Sequence, residues 1–204
     1  MNWLVVVGHP LSDSLCCKLS EFVTDILAAR GHDVTVKNLY DENFNPQLTP
    51  IERKSYYSDI YNCSDVEKDV NQLLNADGIV LLFPTWWFGF PAILKGWADR
   101  VWGPGIAYDH ADDFGPIKPR LIKLRHMLVV TTLGAPWWVD FFIMRRPVKK
   151  IIRYALLGAC ARNSKLTYFS LYKCEKLDVV KLDKFKRKIL RCVNSLGKGI
   201  PQLR

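Results

Sequence analysis

Three short stretches of this 204-residue chain carry groups that suit a bound ligand. The first, Gly8-His9-Pro10-Leu11-Ser12-Asp13-Ser14-Leu15, contains neither GxGxxG nor a GxxxxGKS/T pattern. It is therefore neither a dinucleotide fingerprint nor a nucleotide-triphosphate loop. It offers hydroxyls at a helix start instead. Ser12 and Ser14, with the free N–H groups of the first turn, can hold a phosphate against the positive end of the helix dipole, or one serine can simply cap the helix. The second stretch, Pro84-Thr85-Trp86-Trp87-Phe88-Gly89-Phe90-Pro91, sets three large aromatics in a row. Such a run either packs between sheet and helix or walls a planar heterocycle. The third, Thr131-Thr132-Leu133-Gly134-Ala135-Pro136, is small and hydroxyl-bearing, which admits a ring close to the backbone.

These stretches follow apolar runs that read as strands. Runs rich in β-branched residues recur at Trp3–Val7, Val34–Val36, Ile79–Phe83, Met127–Thr132 and Leu166–Leu171, and helical periodicity follows each of the first four. In the first helix Leu15, Leu19, Phe22, Val23, Ile26 and Leu27 form one stripe, with Gly31 as the stop signal. Another helix opens with Pro91 and stacks Ile93, Leu94, Trp97, Ala98, Val101 and Trp102 on one face. The last is expected over Val180–Leu196. Strands that are apolar throughout belong in a parallel sheet covered on both faces. The expectation is one doubly wound α/β domain spanning residues 1–204, without linker or internal repeat. In such a sheet a ligand lies beyond the carboxyl ends of the strands, where the three stretches fall. A long polar excursion, Tyr40 to Cys63, carries Pro46 and Pro50 and is expected to cover part of a site or partner surface.

Composition narrows the function classes. No apolar run approaches the ~18 residues of a bilayer span, and Met1-Asn2 supplies no basic region for a signal peptide, which points to the cytoplasm. The six cysteines show no CxxC and no metal-ligand spacing, so reduced thiols and no metal are expected. The net charge of +9 is local: residues 1–102 hold 8 Lys+Arg against 13 Asp+Glu, and residues 103–204 hold 21 against 7. The cations cluster at Arg145, Arg146, Lys149, Lys150 and Arg153, and again at Lys181, Lys184, Lys186, Arg187, Lys188 and Arg191. No nucleic-acid motif accompanies them. The run Trp137, Trp138, Phe141, Phe142, Ile143 and Met144 ahead of the first cluster has the form of an interfacial segment. A membrane-surface contact is thereby open, though closure of a pocket or dimer interface by these aromatics is preferred.

Three segments together carry a family likeness. Leu39-Tyr40-Asp41-Glu42-Asn43-Phe44-Asn45-Pro46, the stretch from Pro84 through Pro91-Ala92-Ile93-Leu94-Lys95-Gly96-Trp97-Ala98-Asp99-Arg100-Val101, and Ala107-Tyr108 resemble the NAD(P)H:quinone oxidoreductases of the flavodoxin-like fold. The resemblance runs from residue 3 to about 172. It implies a five-stranded parallel sheet of order 2-1-3-4-5, a homodimer with the site at its interface, and two-electron reduction of quinones or similar acceptors by ping-pong hydride transfer from NAD(P)H through FAD, with FMN as the alternative. Carried over by position, His9, Ser14, Leu15 and Cys16 line the cofactor phosphates. Pro84, Thr85, Trp87 and Phe88 hold the flavin ring with Thr131, Thr132, Leu133 and Gly134. Tyr108 approaches from across the dimer interface, and His110 stands in for a catalytic histidine that Ala135-Pro136-Trp137-Trp138 lacks. Two other classes stay in view: a flavodoxin-type electron carrier and a membrane-associated regulatory flavoprotein subunit.

Overall fold

A computed structural model gives the fold and describes residues 1–58, 60–111 and 115–196. The expected domain of residues 1–204 thus runs past the described residues at 197–204. Five parallel strands form the sheet: β1 (Asn2–Val7), β2 (Asp33–Asn38), β3 (Gly78–Pro84), β6 (His126–Leu133) and β7 (Lys165–Tyr172), in the order β2-β1-β3-β6-β7. This is the 2-1-3-4-5 order expected from the sequence. The two intervening strands, β4 (Tyr108–Asp109) and β5 (Lys118–Pro119), pair with each other as a small antiparallel ribbon.

Period-two alternation gives the sheet two cores. Leu4, Val6, Ile79, Leu81, Phe83, Met127 and Val129 face α3 (Glu67–Asn75), α4 (Ala92–Val101) and a helical run over 147–160. Trp3, Val5, Val7, Val80, Leu82, Leu128 and Val130 face α1 (Leu15–Ala28) and α7 (Val179–Ser195). All seven residues of β3 are buried, which is why that stretch reads as an unbroken apolar run.

The helix ends follow local chemistry. Ser14 caps α1, its Oγ accepting the Cys17 N–H at 3.2 Å. Beyond Ala29, Gly31 takes φ +74°, the left-handed value its type permits. Pro91 is the N-cap of α4, one place earlier than its usual first-turn role. The helical run over 147–160 is irregular: α5 (Pro147–Lys150) passes into a π-helical segment, Ile151–Leu157, and then α6 (Gly158–Cys160). All six cysteines are free, and among the described residues no group of His, Cys, Asp or Glu could hold a metal. Among the described residues no helix is long and apolar enough to cross a membrane.

At the amino-terminal end of the sheet two histidines flank a buried tryptophan. The Trp3 ring lies 6.0 Å from His126, nearly parallel, and 6.2 Å from His32. Among the described residues neither ring nitrogen of His126 has a hydrogen-bond partner, nor does Nε2 of His32. Burial pushes both imidazoles below their ordinary value of 6.5. The amino terminus and Arg30 add to this at His32, and Lys165, Arg125 and His32 itself add to it at His126. The folded chain therefore favours neutral histidines, and the unfolded chain binds more protons. This contribution to stability is complete above pH 6.5 and is lost as pH falls through the lowered folded values. Thermal unfolding is expected to shift down between neutral pH and mildly acidic pH, and His126→Phe to reduce that loss. Equal acid sensitivity in the variant contradicts the assignment.

Candidate active site

The loops after β1, β3 and β6 meet at the carboxyl edge of the sheet. Gly8 N–H donates to the Leu82 carbonyl at 2.9 Å and Thr85 N–H to the Thr132 carbonyl at 2.9 Å. The hydroxyls of Thr85 and Thr131 hydrogen-bond to each other. Thr131 is fully enclosed. It therefore braces two loops, and any ligand contact there falls to its neighbours. Thr132, Leu133 and Pro84 are also buried, which leaves their backbone as the part nearest the edge. Gly134 is exposed, and a side chain at that position would meet the Glu175 carboxylate at 3.0 Å.

In the first loop His9 is half-buried, and its Nδ1 accepts the Leu11 N–H at 3.0 Å. The ring proton is thereby held on Nε2, as a donor. Its ring is 6.2 Å from that of Trp86. Ser14 caps α1, so the simpler role considered for it is present; its hydroxyl proton stays available. Leu15 is half-buried against the core. Cys16 is 2% exposed, and burial pushes its thiol far up. Its side chain is core; only the first-turn N–H groups of Leu15 and Cys16, which lack acceptors within the helix, suit an anion. The adjacent Cys17 is buried too and gives its thiol proton to the Leu11 carbonyl, so the two cysteines form no exposed redox pair.

The second loop is strained. Trp87 and Phe88 have φ of +51° and +55°, and Gly89 N–H closes the turn on the Trp86 carbonyl at 2.9 Å. Two positive φ values in the middle of a four-residue turn define type I′, whose central places favour Asn and Gly. Each non-glycine residue there costs roughly 1–3 kcal/mol. Trp87 is nevertheless wholly exposed, at 101%. Among the described residues no packing offsets its conformation.

Tyr108 and His110 do come together, and a third element joins them. The excursion contains a short helix, α2 (Pro50–Ser55), started by a capping box in which Glu52 N–H donates to Thr49 Oγ1 at 3.2 Å and Thr49 N–H to Glu52 Oε2 at 2.7 Å. Just beyond it Tyr56 accepts a hydrogen bond from the Tyr108 hydroxyl at 3.1 Å, and its carbonyl lies 3.2 Å from His110 Nε2. Tyr57 stacks on His110 at 4.9 Å. Burial and the Tyr56 hydroxyl hold the Tyr108 phenol well above the ordinary tyrosine value. These bonds tie Tyr108 and His110 to α2, whereas Trp87 and Gly134 belong to the sheet edge.

What fixes α2 is a buried ion pair that sequence reasoning missed. Arg100 Nε donates to Glu52 Oε1 at 2.8 Å, with side chains 4% and 3% exposed, and Nη1 donates to the Asn45 carbonyl at 2.7 Å. A side chain at Gly96 would come within 2.1 Å of the Pro46 carbonyl oxygen, so the excursion lies directly on α4. The Thr49–Glu52 capping box is a weak signal in a proline-bearing polar run, and nothing in the sequence marks its pairing with Arg100. Removing one partner of a buried pair leaves a charge in the interior, at a cost of about 3–5 kcal/mol. Arg100→Leu is expected to lower stability by that order in urea unfolding, and adding Glu52→Leu to restore most of it. A double variant no better than the single one removes the pair from this role.

Beyond β6 the chain presents Trp137, Trp138, Phe142 and Ile143 at 48% exposure or more. Beneath them Tyr172 donates to Asp140 Oδ2 at 2.7 Å, and the Arg146 guanidinium lies 4.3 Å over the Phe141 ring. The aromatics therefore stand on a fixed base.

A family model described as a flavodoxin-like fold matches residues 1–192. The chain is 38% identical over 105 residues to an uncharacterized NAD(P)H oxidoreductase, YcaK, of Escherichia coli (strain K12), covering 51% of this chain and 54% of that protein. It is 31% identical over 150 residues to NAD(P)H dehydrogenase [quinone] 1 of Rattus norvegicus, covering 65% and 53%. The chain thus spans little more than half the length of these curated relatives. Among solved structures, Smu.1420 from Streptococcus mutans UA159 superimposes with a TM-score of 0.83 at 27% identity, covering 96% of this chain and all of that one.

Proposed function

The chain belongs to the flavodoxin-like fold family, and from that membership and its site we propose that it is an NAD(P)H-dependent flavin oxidoreductase that reduces quinones or similar acceptors by two electrons. The observation that carries the reading is the strained, exposed Trp87-Phe88 turn beside exposed Gly134, next to the N-terminus of α1. The arrangement fits a flavin. A ring can lie along the Trp87-Phe88 turn, and the missing side chain at Gly134 leaves room for its edge, with the flexible carboxylate of Glu175 able to move aside. His9, Ser14 and the N–H groups of Leu15 and Cys16 suit its phosphates. The names of the relatives support the NAD(P)H and quinone parts of the proposal.

The flavin, when bound, supplies the hydride chemistry. The chain's residues hold it, shape the acceptor pocket and exclude water. Backbone N–H groups at Leu133 and Gly134 are assigned the role of meeting negative charge at a ring edge. Tyr108, whose phenol stays protonated, serves as a donor, with His110 packed edge-on beside it. Because Tyr108 and His110 are tied to the excursion through Tyr56, we assign their contact with the ring to a second copy of the chain, in a homodimer whose interface takes up Trp138, Phe142 and Ile143. FAD is preferred to FMN because of the Tyr40–Pro46 likeness and the long excursion.

The test is the visible spectrum of the purified protein, followed by acid release and chromatography of the flavin, which separates FAD from FMN. A colourless chain that takes up neither removes the proposal. Trp87→Asn is expected to relieve backbone strain, holding or raising stability by up to about 1 kcal/mol, while weakening flavin retention by on the order of 1–3 kcal/mol. Unchanged retention assigns Trp87 no part in binding.

A further inference from the structure

A second cavity, at the carboxyl end of β7, is lined by lysines that have no carboxylate partner among the described residues. It has a volume of about 320 Å³, at the small end of the ~300–1,000 Å³ usual for small-molecule sites, and lies between the end of β7 and α7. Phe185 forms its floor, buried and packed edge-on against Phe169, and the Trp137 indole forms one wall. Lys173, Lys181, Lys184 and Lys188 surround the opening, and among the described residues no Asp or Glu lines it.

The lysines do not answer one another's charge. Lys181, Lys184 and Lys188 fall at i, i+3 and i+7, one face of α7, where like charges repel. Lys181 Nζ gives one proton to the Tyr172 carbonyl at 2.6 Å. Among the described residues Lys173, Lys184 and Lys188 have no carboxylate partner. Asp178, the acid at the start of α7, is spent as its cap, accepting the Lys181 N–H at 2.6 Å.

We propose that this cavity binds a small molecule with a flat apolar body and a phosphate monoester group. The body lies between Trp137 and Phe185, where an aromatic ring gains most. The phosphate is chosen by the cations: ammonium groups are compact point charges that surround a tetrahedral dianion, whereas a planar carboxylate is matched by the guanidinium fork absent here. A bound dianion also relieves the repulsion along α7. Tyr172 pairs in register with Leu133, so the ligand sits one strand outward from the proposed flavin edge.

The test uses 2-naphthyl phosphate as probe, titrated by calorimetry into the chain as purified at low salt. Binding is expected to exceed that of inorganic phosphate, 2-naphthoate or 2-naphthylmethanol by about tenfold or more, and to weaken as salt screens the lysines. The Lys184→Glu/Lys188→Glu variant is expected to lose about tenfold or more in affinity with helix content unchanged. Trp137→Ala is expected to weaken 2-naphthyl phosphate and leave inorganic phosphate as it was. Affinity untouched by charge reversal, or equal for inorganic phosphate and the aryl ester, overturns the assignment; naphthoate binding as tightly as the ester overturns the choice of phosphate. Flavin content is read separately, so a colourless chain that binds the ester rejects the flavin reading and leaves this one standing.

Discussion

The guanidinium of Arg100 is enclosed at the end of α4, and an enclosed charge must find its partners or the core does not close. Those partners, Glu52 and the Asn45 carbonyl, both lie in the excursion between β2 and α3. Packing α4 against the sheet therefore fixes where the excursion goes, and bare Gly96 lets Pro46 come down onto the helix. A second enclosed cation repeats the device. Lys37 on edge strand β2 meets Glu42 and Asp69, each at 2.9 Å. Burial alone would lower its affinity for a proton, but the two carboxylates outweigh it and hold Lys37 above its ordinary value. Tyr56 rides on the segment so fixed, and through Tyr56 so do Tyr108 and His110. The family-like stretches Leu39–Pro46 and Gly96–Arg100 thus act chiefly as the fastening between excursion and core, and bear on chemistry through what they position.

Legibility tracked burial. Strands β1, β3 and β6 are covered on both faces, and a strand so covered must be apolar throughout, which one sequence displays directly. The amphipathic helices α1, α4 and α7 were readable for the same reason. Helix α2 was not: its six residues sit in a polar, proline-bearing run that reads as loop, and its capping box is a weak signal until Glu52 is seen facing Arg100. The π-helical segments at Val139–Ile143 and Ile151–Leu157 have no 3.6-residue stripe to find. Nor do residue types betray left-handed backbone at Trp87, Phe88, Arg145 and Arg146, since glycine or asparagine is the usual marker. Of the site, the loops at the sheet edge were legible from position, while Tyr108 and His110 came from family likeness and their partners Tyr56 and Tyr57 from neither.

The exposed aromatics separate the functional alternatives physically. Phe142, Ile143, Trp137 and Trp138 form an apolar run, with Arg145, Lys149, Lys150 and Arg153 following. A membrane surface would use both features, the rings as anchor and the cations for anionic headgroups. The base beneath the rings argues for a more demanding occupant. Asp140 is bound by Tyr172 and approached by Arg146, and Arg146 stacks on Phe141 and Tyr168, so the run is braced by specific polar and ring contacts. A fluid lipid surface gains nothing from such precision, whereas a protein surface or a ring of defined shape does.

The Trp87-Phe88 turn carries this logic furthest. Its backbone conformation costs stability at two residues, and Trp87, wholly exposed, has no packing among the described residues to return its share. Glycine or asparagine at either place would be cheaper for folding alone, so folding does not account for the aromatics. A surface indole held in an unfavourable backbone well finds no compensation among the described residues. On the proposed function, a ligand or second subunit lying against it returns that free energy, and the turn keeps the indole positioned before that contact is made.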